Sequence, residues 1–191
     1  MTRIRRLLVL VAGLLLAGIA LAAPPLPKDS IYQLDLPLTD STGRTADWDQ
    51  LRGKPRLVSM FYTSCQYICP LIVESGKAVE RQLTPAQRAK LGVALISMDP
   101  ARDTPAALRK VATDRKIDGG RWLLASPRQA DVRQVAAVLG IRYRQLADGE
   151  FNHTSALVLV DANGRILART ETLGSKPDRA FVAAVRKAVG G

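Results

Sequence analysis

The feature that most constrains this chain is a short apolar run that ends on a pair of cysteines. Arg56 to Tyr62 reads Arg-Leu-Val-Ser-Met-Phe-Tyr and leads directly into Thr63-Ser64-Cys65-Gln66-Tyr67-Ile68-Cys69-Pro70. A run of this length and composition reads as a buried β-strand. Pro70 is pre-shaped for the first turn of a helix, and Ile72, Gly76, Val79 and Leu83 continue it at helical spacing. Chemistry at a strand end that feeds a helix is the expected location in an open α/β sheet. Both sulfurs then lie near the positive end of the helix dipole, which favours thiolate over thiol. Thiolates are nucleophiles and soft metal ligands, so these residues are placed for reaction or for coordination.

The chain has 2 cysteines and 1 histidine. Cys65 and Cys69 enclose only Gln66, Tyr67 and Ile68, so a bond between them closes too short a loop to stabilise a domain much. The spacing does permit a disulfide, because one turn of chain brings two Cα atoms within the roughly 4.4–6.8 Å that the bond requires. The residues by themselves leave open a metal site, a cycling disulfide and a small structural bridge.

The rest of the chain alternates in a way that fixes the fold class. Ile31 to Leu38 reads as an edge strand leading to the turn Asp40-Ser41-Thr42-Gly43, and Gly53-Lys54-Pro55 punctuates the entry to the strand at Arg56. Leu91 to Met98 is a buried strand, and Thr104-Pro105 forms a cap and first residue for a helix carrying Leu108, Val111 and Ala112. Trp122 to Ala125 is a short strand. Pro127 is expected to open a helix with Val132, Val135, Ala136 and Leu139, closed by Gly140. Ala156 to Val160 and Ile166 to Thr170 flank the hairpin turn Asp161-Ala162-Asn163-Gly164, and a final helix spans about Pro177 to Val189. Strand and helix alternate first, then a hairpin and a helix follow. That order suits an α/β fold with a thioredoxin-like mixed sheet flanked by helices.

The first residues do not read as part of this domain. Arg3, Arg5 and Arg6 precede an almost unbroken apolar run from Leu7 to Leu21, and Ala20-Leu21-Ala22 offers small residues for a signal peptidase. The run is shorter than the roughly 20 residues of a spanning helix. Residues 1–22 are therefore expected to be an export signal or a retained anchor, 23–33 a linker and 34–191 one domain. The expected location is periplasmic or otherwise extracytoplasmic, with attachment to the inner membrane where the segment is retained. The formal charge of +11 comes from scattered Lys and Arg with only 5% aromatic residues. This pattern argues against nucleic acid and for a solvated surface suited to membranes or acidic partners.

His153 stands in Phe151-Asn152-His153-Thr154-Ser155, just ahead of the strand beginning at Ala156. In a thioredoxin-like sheet the loop before that strand faces the cysteine site, and its usual occupant is a cis-proline. Here the histidine stands in that neighbourhood. Two thiolates and one imidazole form a three-coordinate set suited to copper, whereas zinc normally takes a fourth ligand.

Three pieces, in order, resemble the SCO/SenC family: the strand-end Cys65-x-x-x-Cys69-Pro70, the segment Ser97-Met98-Asp99-Pro100-Ala101-Arg102-Asp103-Thr104-Pro105, and His153 followed by a strand and Asp161-Ala162-Asn163-Gly164. The resemblance covers roughly Leu34 to Val189. It implies a thioredoxin fold with an added β-hairpin, and a copper ion held by Cys65, Cys69 and His153. It also implies a metallochaperone acting on the copper-site subunit of cytochrome c oxidase, on another exported cuproprotein or on a thiol partner. Family members that deliver copper resemble Cys-Pro-Asp-x-Cys-Pro, and this chain departs from them with Gln66 and Tyr67 between its cysteines. The customary acid is absent, and the Tyr67 phenol is placed to cover the sulfurs. Asp99 is a further candidate at a strand end, to orient His153 or dock a partner, while Asp103 and Thr104 read as turn and cap residues. The second functional class is an exported thiol-disulfide oxidoreductase cycling the Cys65/Cys69 disulfide. A thiol peroxidase is a third, weakened because Thr63 lies two positions before Cys65 where such enzymes present a threonine three before.

Overall fold

The computed structural model describes residues 25–65 and 68–190, excluding the side chains of Ile68 and Cys69. The expected export segment and the Gln66-Tyr67 pair lie outside the described residues.

Alternation of buried strands with one-faced helices has one stable solution here, a sheet covered on both faces. Seven strands form it: β1 (Pro37–Asp40), β2 (Thr45–Asp47), β3 (Arg56–Phe61), β4 (Gly92–Ser97), β5 (Trp122–Pro127), β8 (Leu157–Val160) and β9 (Ile166–Thr170). They lie in the order β2-β1-β5-β4-β3-β8-β9. β3, β4 and β5 run parallel, with β8 antiparallel to β3 and β1 antiparallel to β5. Every residue of the central β4 is buried, as expected for a strand covered on both sides.

The helices are α1 (Ile68–Arg81), α2 (Pro85–Lys90), α3 (Pro105–Asp114), α4 (Val132–Val138) and α5 (Arg179–Gly190). α1 buries Ile72, Val73, Ala78 and Val79 against the sheet. Gly76 lets it approach closely, since a Cβ there would stand 2.5 Å from the Trp122 ring. The Trp122 indole N–H donates to Glu80 Oε2 at 3.1 Å, and Arg121 Nε donates to Glu80 Oε1 at 3.1 Å, so the buried carboxylate is satisfied on both oxygens. Thr84 and Gln87 form a capping box on α2, and the Thr104 hydroxyl caps α3.

Three local readings change. Residues 31–33 form a 3-10 turn rather than a strand, and Ile31 and Tyr32 sink into the core. Tyr32 packs edge-on to Trp48, and Ser30 donates to the Asn163 carbonyl at 2.6 Å. This part of the expected linker is therefore tied to the β8–β9 turn, and its loose alternation reflected burial of single residues. Pro127 closes β5 instead of opening a helix: the chain passes through a 3-10 turn at Gln129–Asp131 before α4 begins. A separate two-stranded hairpin, β6 (Tyr143–Gln145) and β7 (Phe151–His153), stands apart from the main sheet.

Candidate metal and thiol site

The site forms where β3 leaves the sheet. A turn closes with Cys65 N–H donating to the Tyr62 carbonyl at 3.3 Å, and this sets Cys65 at the mouth of α1. Its position is clamped by Asp103, a buried residue of the β4–α3 loop. Asp103 Oδ1 accepts from Thr63 N–H at 3.0 Å and from the Thr63 hydroxyl at 2.6 Å, and Oδ2 accepts from the Ser97 hydroxyl at 2.6 Å. Burial pushes the Asp103 carboxyl above its ordinary range, against the downward pull of these hydrogen bonds. Asp103 is thus a buried clamp on the cysteine loop, a larger role than the turn residue expected from sequence, while Thr104 is the cap it was read to be.

Cys65 is half-buried against the core and lines a cavity of about 40 Å³ with Phe61, Thr63, Pro70, Val73, Val111 and Arg115. The cavity is mainly apolar, and among the described residues Arg115 is the one cation that lines it. The Cys69 backbone lies in the first turn of α1, and its side chain is outside the described residues. Tyr67 is outside them too.

His153 ends β7. Its Nδ1 lies 3.2 Å from the Thr154 carbonyl oxygen and 3.4 Å from the Ser155 hydroxyl. A neutral imidazole binds a metal through whichever ring nitrogen carries the lone pair.

Tyr62 joins the two halves. Its ring meets the His153 imidazole edge-on at 5.9 Å and the Phe151 ring at 5.2 Å. Its hydroxyl hydrogen-bonds the Cys65 side chain and the Glu150 carboxylate, and Phe151 N–H donates to it. Burial, then those two acidic neighbours, push the phenol well above its usual range, so it remains a neutral donor. Cys65 and His153 therefore touch a common residue. Among the described residues no three His, Cys, Asp or Glu side chains gather as a metal group; the third candidate ligand is Cys69.

Asp99 is buried at the end of β4, but the partner the structure gives it is Arg102. Arg102 reaches on to the Gly149 carbonyl at 2.7 Å and to Glu150 Oε1 at 3.2 Å, on the hairpin that carries His153. Sequence reasoning took Tyr62 as core and Arg102 as surface, and passed over Glu150. Asp148-Gly149 between two short runs ending in Gln145 and starting at Phe151 was the turn signal that marks this hairpin.

A cysteine-bearing strand end, a helix at its mouth and a mixed sheet covered on both faces define this as a thioredoxin-like protein, here extended by a histidine-bearing hairpin. The family model SCO1/SenC matches residues 27–190, and the chain belongs to that family. A relative from Bacillus subtilis (strain 168), the SCO1 protein homolog, is 23% identical over 94% of this chain and 95% of its own. The copper-bound structure of Bradyrhizobium japonicum ScoI is similar at a TM-score of 0.67 and 24% identity, covering 81% of this chain and 98% of that one. BsSco, a member of the Sco family of cytochrome c oxidase assembly proteins in which a disulfide switch was identified, is similar at a TM-score of 0.67 and 20% identity, over 82% and 92%. Both structural likenesses establish the fold. Among the described residues no helix is long and apolar enough to cross a membrane.

Proposed function

We propose that the protein is a copper-binding metallochaperone that holds the ion through Cys65, Cys69 and His153 and hands it on during cytochrome c oxidase assembly. The observation that carries this reading is that Cys65 and His153 meet the same side chain, Tyr62, whose ring packs edge-on to the imidazole and whose hydroxyl contacts Cys65. Two thiolates and one imidazole are soft and borderline donors that suit copper in a low-coordinate site. The copper-bound ScoI relative supports the choice of metal, and BsSco supports the assembly role.

The ion is cargo, and the chain's own residues do the rest of the work. Asp103 fixes the loop that carries Cys65, the Thr154 carbonyl contacts the His153 imidazole, and Tyr62 contacts both Cys65 and His153. The Gln66-Tyr67 pair supplies no carboxylate to the loop, so a bound cation is balanced by the thiolates alone. The place of action is extracytoplasmic, with residues 1–22 as export signal or anchor.

The test is a competition titration of reduced protein against a Cu(I) chelator. One ion per chain is expected. Cys65→Ser and Cys69→Ser should abolish competitive binding, and His153→Ala should weaken it by about 10–100-fold, as loss of one supporting ligand does. Failure of the wild-type protein to compete for Cu(I) overturns the reading.

The closeness of Cys65 to the first turn of α1, which holds the Cys69 backbone, also favours a second use of the same residues as an exported thiol-disulfide couple. One thiolate attacks a partner disulfide, and the other displaces the partner as a thiol and closes the Cys65–Cys69 bond. The metal-binding form is the reduced dithiol, so the two activities exclude each other at any instant while sharing one protein.

A further inference from the structure

The hairpin that carries His153 shares no strand pairing with the seven-stranded sheet, so its place is set by side chains. Near His153 the grip is aromatic, through Tyr62 against Phe151 and the imidazole. At the far end a guanidinium adds a second grip, beside the Tyr62 hydroxyl that also meets Glu150. Arg102 Nη2 donates to the Gly149 carbonyl at 2.7 Å and Nη1 to Glu150 Oε1 at 3.2 Å, while Nε is turned back to the buried Asp99 carboxylate.

The tip it grips is already shaped. Gly149 has φ +83°, Gly149 N–H donates to the Leu146 carbonyl at 3.0 Å, Glu150 N–H donates to Asp148 Oδ1 at 3.0 Å, and Leu146 N–H donates to the Glu150 carbonyl at 2.7 Å. A preformed turn held at both ends moves as a unit. Glu150 directly precedes the three-residue strand that His153 ends, so displacement of the tip carries the imidazole with it.

We propose that Arg102 is a positioning residue: braced by Asp99, it pins the β6–β7 tip through Gly149 and Glu150 and so sets where His153 stands relative to Cys65. The part that concerns copper rests on the functional reading above; the part that concerns the hairpin stands without it. The fixed fork of a guanidinium reaches three acceptors in two directions, whereas an ammonium offers a single point charge. The Arg102 side chain is 41% exposed, so its ion pairs contribute little to global stability and its effect is on geometry.

The experiment uses the purified protein with Arg102→Ala, Arg102→Lys and Glu150→Gln, read in two ways. In the metal-free protein, amide hydrogen exchange across residues 146–153 should quicken by about tenfold in Arg102→Ala while β3 and β4 stay unchanged. Lysine should restore only part of the protection, and Glu150→Gln, which leaves the Asp99–Arg102 pair intact, should loosen the tip more mildly. In the second reading, chelator competition, Arg102→Ala should weaken Cu(I) binding by about tenfold in the wild-type background and add nothing to His153→Ala. Unchanged hairpin exchange in Arg102→Ala and Glu150→Gln overturns the proposal, as does an equal copper loss in both backgrounds. If no variant or wild-type protein takes up Cu(I), the functional reading fails, and the exchange result still decides whether Arg102 pins the hairpin.

Discussion

Asp103 accepts both hydrogen bonds that Thr63 can donate, at 3.0 Å from its N–H and 2.6 Å from its hydroxyl. A buried carboxylate on a neighbouring loop thereby fixes the backbone two residues ahead of Cys65. The cysteine-bearing loop is held from the β4–α3 connection, some forty residues further along the chain, as well as by its own turn.

Asp103→Ala should be severely destabilising. It strands the buried Ser97 hydroxyl and the part-buried Thr63 N–H and hydroxyl, which together cost about 3 kcal/mol. At the usual sensitivity for a chain of this size that lowers Tm by about 6–12 °C. Asp103→Asn keeps one acceptor oxygen and the volume, and should lose less than half as much. Urea and thermal unfolding of the two variants check the order.

The same residue gives a pH signature with a definite sign. Burial raises the Asp103 carboxyl above its ordinary value of 3.8, so the folded protein holds this proton more tightly than the unfolded chain. Stability from this group is fully present below 3.8 and is lost as pH rises through the raised folded value. The stability advantage of wild type over Asp103→Asn should therefore be largest at low pH and shrink across that window. Urea midpoints of the pair, measured through the acid range, read it directly; an advantage that grows with pH contradicts the assignment.

The elements around the candidate cysteines were legible in the sequence, and those around His153 only partly so. Strand β3, the turn into α1 and the Thr104 cap are local, each written in residues within a few positions of one another. Asp103 and Arg102 act across the chain, on Thr63 and on Gly149 and Glu150, and nothing in local pattern announces such partners. The hairpin β6–β7 was obscured because each strand has three residues, too few for alternation to register. Residues 31–33 misled for a different reason: Ile31 and Tyr32 are apolar because they fill the core beneath Trp48, and the expected edge strand begins only at Pro37. The copper assignment came from resemblance, since the residues themselves left metal and disulfide uses open.

Gly76→Ala sets two effects against each other. Alanine favours a helix interior by about 1 kcal/mol over glycine. Its Cβ, however, would stand 2.5 Å from the buried Trp122 ring, which the Glu80 hydrogen bond holds in place. Overpacking of this kind costs about 1–3 kcal/mol. The net change should be destabilising, with a Tm lowered by a few degrees and altered Trp122 fluorescence. A rise in Tm would mean that α1 can lift off the sheet at little cost.

The central claim is that Cys65, Cys69 and His153 form one copper site, and the most direct measurement is the absorption spectrum of the reduced protein on addition of Cu(II). Intense thiolate-to-copper charge-transfer bands should appear and saturate at one ion per chain. They should vanish in Cys65→Ser and Cys69→Ser and shift and weaken in His153→Ala. A spectrum without such bands in the wild-type protein, or one that His153→Ala leaves unchanged, contradicts the account.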